Sequence, residues 1–396
     1  MTRTYSGMRL SALFALAILG ASSLASPAAA VLPSTAARWT PNDPLFAEQW
    51  SFDHSGDVDV DAPEAWALLR ERGVRREVIV AVVDSGFNLN HEDLKDALWV
   101  NQLEQDGQPG IDDDGNGYID DVHGYDFVSR DPYPVGGDHG TNVAGVIGAT
   151  ADNGVGIAGL AAPAGVRLML LRHGAANVSG KADTAIEAWE YARSMGAEVV
   201  NNSWGTFTTL AYLVPGQLDS GPGAMLHLDA GLKAKAEELS RDGIVQVFAG
   251  GYGGPLWPDV WDDYNLPGVL RVSAGSRSDT PTIDLRPHPL FADVLSPTGE
   301  LWTTTGNGGY SNTFGATSGA APHAAATAAL IRALYGPDQL SNAQVAQAVM
   351  DGVDVLPQYA FASRSGGRLS AHGALLAAER LAAGCTNGRP LLPCLQ

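Results

Sequence analysis

Three separated residues of this chain could together carry out nucleophilic catalysis. Asp84 ends an apolar run in V-V-D-S-G, His139 lies in D-H-G-T-N-V-A-G, and Ser318 lies in A-T-S-G-A-A-P-H. A serine hydroxyl is a weak nucleophile at neutral pH, so it needs a base to take its proton and a carboxylate to orient that base. Taken singly, each residue is more often structural, for example as a helix cap. Their joint occurrence in this order favours the catalytic interpretation.

The elements that would position these residues alternate between strands and helices. Apolar runs predict strands at residues 78–83, 167–171, 198–201 and 244–248. Helical spacing predicts helices at residues 182–192, 226–239 and 320–334, with Pro322 in the first turn of the last one. This alternation predicts an α/β fold, a doubly wound and mostly parallel sheet with helices on both faces. Active residues of such sheets gather at the carboxyl ends of the strands, where Asp84 falls.

The composition excludes several classes of protein. The 396 residues contain 24 Lys and Arg against 44 Asp and Glu, for a formal net charge of -20. Such a chain repels phosphates, so we expect no nucleic-acid partner. The hydrophobic fraction of 45% excludes wholesale disorder. Two cysteines cannot build a disulfide-dense scaffold or a four-thiolate zinc site.

The first thirty residues have the pattern of a secretory signal peptide. Arg3 and Arg9 precede an apolar run at 10–20, and small residues follow up to Ala30. The run is too short to span a bilayer, and the alternative is a buried N-terminal helix. We therefore expect a signal peptide at 1–30 and a secreted or periplasmic protein with no membrane segment after cleavage.

The rest of the chain is expected to form one domain and a short tail. We place the domain at 31–380, since neither a repeat nor a low-complexity linker interrupts it. The tail, 381–396, contains Cys385 and Cys394. These cysteines are expected to form a disulfide in an oxidising compartment, and the alternative is two free thiols.

The three motifs together resemble those of the subtilisin-like serine peptidases. The segments N-L-N-H-E-D-L, N-G-V-G-I-A-G-L-A and N-N-S-W-G agree with that family in order and spacing, and residues 40–46 resemble the mature N-terminus of its thermitase-like members. The resemblance implies a serine endopeptidase that acts on polypeptide substrates, which we expect to be monomeric. It implies that Asp84 orients His139, that His139 is the general base, and that Ser318 forms the acyl-enzyme.

A further segment is assigned to substrate binding by the same resemblance. Ser203, Trp204 and Gly205 match the extended segment that pairs with the substrate backbone and walls the first specificity pocket. The alternative is an ordinary edge strand.

The chain departs from the family pattern in ways that bear on activity. Gly251 occupies the position of the asparagine that donates to the oxyanion, and Asn307, Asn312 or a water are the alternative donors. Ala316 replaces a usual glycine, and Gly319 replaces a usual larger apolar residue. Only about ten residues separate Ala30 from the T-P-N-D-P segment, where the family has a folding prodomain. These departures leave open a second hypothesis, a catalytically degenerate homologue that binds peptides or a partner.

An acidic run predicts a calcium loop. Asp112, Asp114 and Asn116 match the first half of a D-x-D-x-N-G loop, and Asp120 falls at a ninth-position ligand. The bidentate glutamate of an EF-hand is missing, so this is a different kind of loop. The alternative is a solvated turn.

A second calcium site is implied by the family resemblance alone. Its ligands would be the side chains of Asp43, Asp93 and Asn153 with the carbonyls of Val155 and Ile157. Such a Ca²⁺ would fasten the N-terminal segment to the domain.

Overall fold

The computed structural model describes residues 37–174, 182–205, 222–250, 261, 264–282, 285 and 287–384, with only the backbone for 222–230. The chain divides into two units, Met1–Thr35 and Ala36–Gln396, and the described residues all belong to the second. The predicted signal peptide, Gly251 and both cysteines lie outside the described residues.

Within the described residues, a sheet of nine strands forms the centre of the second unit. Its strands, in chain order, are β1 (Ile79–Asp84), β2 (Gly124–Asp126), β3 (Arg167–Arg172), β4 (Val199–Asn202), β5 (Val245–Ala249), β6 (Val269–Gly275), β7 (Val294–Pro297), β10 (Asp354–Val355) and β11 (Gly367–Arg368). A separate hairpin contains β8 (Leu301–Thr304) and β9 (Tyr310–Phe314). The order across the sheet is β10-β11-β7-β6-β5-β4-β1-β3-β2, and every pair except β10–β11 is parallel. The predicted doubly wound, mostly parallel sheet is therefore confirmed.

Helices cover both faces of this sheet. They are α1 (Ala62–Arg72), α2 (Gln102–Gln105), α3 (Asp138–Gly148), α4 (Ala182–Ser194), α5 (Pro222–Arg241), α6 (Ala316–Leu334), α7 (Asn342–Asp351) and α8 (Ala371–Ala382). Side chains of β1 alternate between two apolar cores: Val80 and Val82 pack with α3 and α6, and Ala81 and Val83 pack with α4. A strand buried on both faces explains why β1 reads as a continuous apolar run.

The helix that carries Ser318 begins earlier than its sequence predicts. α6 starts at Ala316, so Pro322 lies in its second turn and not in its first. Proline has no N–H, so the carbonyl four residues earlier, that of Ser318, loses its helical donor. The hydroxyl of Ser203 donates to the Ser318 carbonyl at 3.1 Å in place of the missing backbone donor. The side chain of Ser203, just after β4, thus supplies the hydrogen bond to the Ser318 carbonyl that Pro322 cannot make.

Over the part of the chain that the structure describes, no helix is both long enough and apolar enough to cross a membrane.

Candidate active site

Asp84 and His139 form a hydrogen-bonded pair at the carboxyl end of β1. Asp84 is the last residue of β1 and is 2% exposed, and His139 is the second residue of α3. The imidazole Nδ1 lies 2.8 Å from Oδ1 of Asp84. Gly140 allows this approach, because a Cβ there would lie 2.5 Å from the carbonyl oxygen of Gly86. The predicted base and its orienting carboxylate are therefore together.

The environment of His139 favours its protonated form. Burial by itself would lower the pKa of the imidazole, but the charge of Asp84 and its hydrogen bond outweigh burial and raise it above 6.5. The ring also packs edge-on against Phe314, with centroids 5.5 Å apart. A base held in this way has one fixed ring orientation, which leaves Nε2 for proton transfer.

Ser318 lies in the first turn of α6 with its hydroxyl turned toward the end of β4. Its Oγ donates to the carbonyl of Ser203 at 3.0 Å. Among the described residues, no hydrogen bond joins this hydroxyl to His139. The backbone N–H of Ser318 is one of the first-turn groups that have no partner within the helix.

The two departures beside Ser318 have structural explanations. Ala316 has a φ of 57°, the left-handed region where glycine is favoured. Its carbonyl accepts a hydrogen bond from the hydroxyl of Thr298 at 2.5 Å, which helps to hold this turn. At Gly319 a Cβ would lie 2.7 Å from Cδ1 of Leu301. The position of Gly319 therefore has no room for a larger side chain unless Leu301 moves.

The predicted substrate segment follows β4 directly. Ser203 is 1% exposed, and its hydroxyl also accepts from the amide of Asn201 at 2.9 Å. The ring of Trp204 packs against three other aromatic rings, those of His173, Trp189 and Trp261. Gly205 is the last described residue before a gap in the described chain. Ser203 and Trp204 are thus held firmly next to the nucleophile.

The alternative oxyanion donors lie on β9 and in the turn before it. The amide oxygen of Asn307 accepts from Thr305 at 2.6 Å within its own turn, and Asn312 is exposed on β9. Gly251, the position that matches the family asparagine, lies outside the described residues.

The second predicted calcium site brings two buried carboxylates together. Asp43 is 4% and Asp93 is 0% exposed. Asp93 accepts from the amide of Asn153 at 2.8 Å and from the N–H of Ile157 at 3.0 Å. Asp43 accepts from the N–H of Asn153 at 3.2 Å, and the amide oxygen of Asn153 accepts from the N–H of Val155 at 2.7 Å. Burial, with the charge of Asp43, raises the pKa of Asp93 to about 6.

The acidic loop also forms a cluster, with one member that the spacing did not indicate. Carboxylate oxygens of Glu104, Asp112 and Asp114 lie within 4.8 Å of one another. Asn116 donates from its amide to Asp114 at 2.9 Å, whereas Asp120 accepts from the N–H of Gly110 on the other side of the loop. Glu104 comes from α2, so only the folded chain places it here.

Both groups offer the hard oxygen ligands that Ca²⁺ prefers. Carboxylates of the acidic loop approach one another, and the charge of Asp43 acts on Asp93, while neutral amides and backbone N–H groups donate to them. A divalent cation would relieve that repulsion, so the residues present fit the ion.

An aspartate–histidine pair at the end of a parallel strand, with a serine in the first turn of a helix that packs against the histidine's helix, is typical of an α/β serine hydrolase. A model of the subtilase family matches residues 75–367, which is more than half of the chain. The chain therefore belongs to the subtilase family, a family of serine peptidases.

Relatives in other organisms agree with this assignment. Subtilisin-like protease 1 of Plasmodium falciparum is 27% identical over 320 residues, which is 80% of this chain and 45% of that protein. The chain thus spans about half the length of that relative. Thermitase of Thermoactinomyces vulgaris is 26% identical over 294 residues, 74% of this chain and 85% of that protein.

One solved structure shows the same fold. A protease from Pseudoalteromonas arctica PAMC 21717 aligns with a TM-score of 0.61 and 22% identity, and the alignment covers 86% of this chain and 100% of that one.

Proposed function

We propose that this chain is an exported serine endopeptidase that hydrolyses peptide bonds through Asp84, His139 and Ser318. The observation that carries the proposal is the 2.8 Å hydrogen bond between His139 and Asp84, because it is the pairing that a general base requires. Family membership supports the reaction class. The signal pattern at 1–30 supports export, and the substrates would be polypeptides.

Acylation would begin with a movement of the nucleophile. The hydroxyl of Ser318 leaves the carbonyl of Ser203 and gives its proton to Nε2 of His139 as Oγ attacks the peptide carbonyl. The carbonyl oxygen gains the negative charge, next to the N–H of Ser318 and the positive end of α6. When the C–N bond breaks, His139 returns the proton to the leaving amine.

Deacylation would repeat these steps with water. His139 takes a proton from the water, the hydroxide attacks the ester, and the proton returns to Oγ of Ser318. Asp84 stays ionised and stabilises the imidazolium in both halves. Ser203 to Gly205 would bind the substrate as an added strand, and departure of the Ser318 hydroxyl frees the Ser203 carbonyl for that pairing.

Calcium would stabilise the fold and would take no part in peptide-bond hydrolysis. We propose that Asp43, Asp93 and Asn153 hold one Ca²⁺ with the carbonyls of Val155 and Ile157. Glu104 with Asp112, Asp114 and Asn116 would hold another. The ion would supply charge neutralisation and a cross-link between chain segments.

A second candidate function is peptide or partner binding by a degenerate homologue. Two observations favour it: Gly251 stands where the oxyanion asparagine is expected, and the Ser318 hydroxyl is bonded to Ser203 and not to His139. In that case the cleft would bind an extended peptide without cleaving it.

Labelling with a fluorophosphonate separates the two functions. The probe attacks only a serine that is activated by a base, and intact mass reports its attachment. We expect stoichiometric labelling of the wild type, none of Ser318→Ala, and full labelling of Ser278→Ala, which removes an exposed hydroxyl elsewhere. An unlabelled wild type, under conditions that label a known peptidase, would reject the endopeptidase and favour the binding function.

A further inference from the structure

A buried histidine lies at the end of the strand next to the catalytic aspartate. In the β1–β3 ladder Asp84 pairs with Arg172, the last residue of β3. His173 follows, and its N–H donates to the carbonyl of Asp84 at 3.0 Å. Its side chain is 2% exposed. The backbone of His173 therefore extends the ladder one step past the catalytic residue.

The ring of His173 packs on the substrate segment. Its centroid lies 4.2 Å from that of Trp204, with the planes tilted by 41°. Trp261 and Trp189 lie 5.0 and 6.0 Å from Trp204. The Trp204 carbonyl accepts from Nε1 of Trp261 at 3.2 Å. Trp204 is thus held between the histidine and two other indoles.

Trp204 directly follows the residue that holds the nucleophile. The carbonyl of Ser203 accepts from the Ser318 hydroxyl, and the hydroxyl of Ser203 donates to the Ser318 carbonyl. A continuous line of contacts therefore runs from Asp84 through His173, Trp204 and Ser203 to Ser318.

An apolar side chain would suit this buried position better for stability alone. Nδ1 of His173 has no hydrogen-bond partner among the described residues, and burial lowers the pKa of the imidazole to about 4. Buried polar atoms without partners are uncommon and are found at functional sites. The imidazole does, however, present a flat face that packs against the ring of Trp204.

We propose that His173 is a positioning residue, whose ring fixes Trp204 and through it the Ser203 carbonyl, which lies beside the nucleophile and would pair with the substrate. This inference rests on the proposed peptidase function. It gives His173, which follows β3, a positioning role that neither the motifs nor the spacing of the chain indicated.

Two substitutions test whether the planar ring is what matters. His173→Ala removes the face, and we expect kcat to fall about tenfold with a smaller change in KM, because small misplacements of reacting groups are costly. His173→Phe keeps the face, and we expect kcat within about twofold of the wild type. His372→Ala, a half-buried histidine of α8, is the control and should match the wild type. If His173→Ala does not fold, His173→Leu replaces it, with kcat expected below that of His173→Phe.

A second readout needs no activity. Near-ultraviolet circular dichroism reports the packing of Trp204 with Trp189 and Trp261, and we expect the signal to weaken in His173→Ala and to persist in His173→Phe. Unchanged spectra together with unchanged kcat in His173→Ala would overturn the proposal, as would equal losses in both variants. If fluorophosphonate fails to label the wild type, the peptidase function is rejected, and the spectra alone then decide whether His173 orders Trp204.

Discussion

Ser203 and Ser318 are joined by two reciprocal hydrogen bonds, each from the hydroxyl of one residue to the carbonyl of the other. The distances are 3.0 Å from Ser318 and 3.1 Å from Ser203. The second bond replaces the one that Pro322 cannot make, so the substrate segment and the nucleophile helix depend on each other.

This relationship predicts a specific energetic coupling between Ser203 and Pro322. Ser203→Ala leaves the Ser318 carbonyl without a donor, and we expect the free energy of unfolding to fall by about 1–3 kcal/mol. In a Pro322→Ala background the helix regains its own donor, so the same change should cost less. A double-mutant cycle by urea unfolding measures the difference. Equal costs in the two backgrounds would show that Ser203 does not compensate for the proline.

The pH dependence of activity should report the pKa of His139. The base must be neutral to accept a proton, so kcat/KM should fall toward acid pH with an apparent pKa above 6.5. Asp84→Asn removes the charge that raises this pKa, so the acid limb should move to lower pH. It should also reduce kcat by about ten-thousandfold, since the imidazole loses its orientation. An acid limb that stays in place would mean that another group titrates.

The left-handed turn at Ala316 predicts a stabilising substitution. Glycine adopts a φ of 57° without the clash of Cβ, so Ala316→Gly should raise the free energy of unfolding by about 1 kcal/mol. Ala343→Gly in α7 is the matched control and should lower it by a similar amount, because glycine weakens an ordinary helix. Thermal unfolding of both variants measures the signs. A destabilised Ala316→Gly would contradict the strained backbone.

Acidic residues near Arg368 predict that stability falls as pH rises. Burial is the main reason that the pKa values of Asp59 and Asp61 are raised from 3.8 to about 7. Between about pH 3.8 and pH 7, these two carboxyls are protonated more in the folded protein than in the unfolded chain. The free energy of unfolding should therefore fall with rising pH, by up to about 1.4 kcal/mol per pH unit for each carboxyl, and level off above about pH 7.

Asp61→Asn tests this dependence by removing one of the two titrating groups. Its free energy of unfolding should decline less steeply between about pH 4 and pH 7 than that of the wild type. Asp338→Asn, at an exposed site, should leave the slope unchanged. Parallel profiles for Asp61→Asn and the wild type would show that Asp61 does not titrate in this range.

Removal of calcium should lower the thermal stability. A chelator is expected to reduce the Tm of the wild type. Asp93→Asn and Glu104→Gln each remove a ligand of one proposed site, so the chelator should lower the Tm of each variant by less than it lowers that of the wild type. Asp338→Asn serves again as the control, with a shift equal to the wild type's. A wild type whose Tm is insensitive to the chelator would remove both proposed sites.

The sequence predicted the strands well because their signal is local. The β-branched run at 78–83 lies within one residue of β1, Ile79–Asp84. The start of α6 was predicted too late, since a proline usually marks a helix's first turn and Gly315 offers no side-chain cap. Only the contact with Ser203 shows how the helix accommodates Pro322.

Parts of the site could not be found from spacing. Asp84 and His139 lie in motifs, and in the structure they form a hydrogen bond. Glu104 and His173 are single residues on a short helix and after a strand, and nothing in their neighbourhoods distinguishes them. Tertiary packing alone brings Glu104 to the acidic loop and His173 to Trp204.

The order of the site residues along the chain also determines when each is synthesised. Asp84 and His139 leave the ribosome early, the Ser203 carbonyl later, and Ser318 only near the end of the chain. A nascent chain therefore has no nucleophile while most of its sheet is being made. Under the proposed function, the cell that makes this peptidase is protected from it by the order of translation until nearly the whole domain has been synthesised.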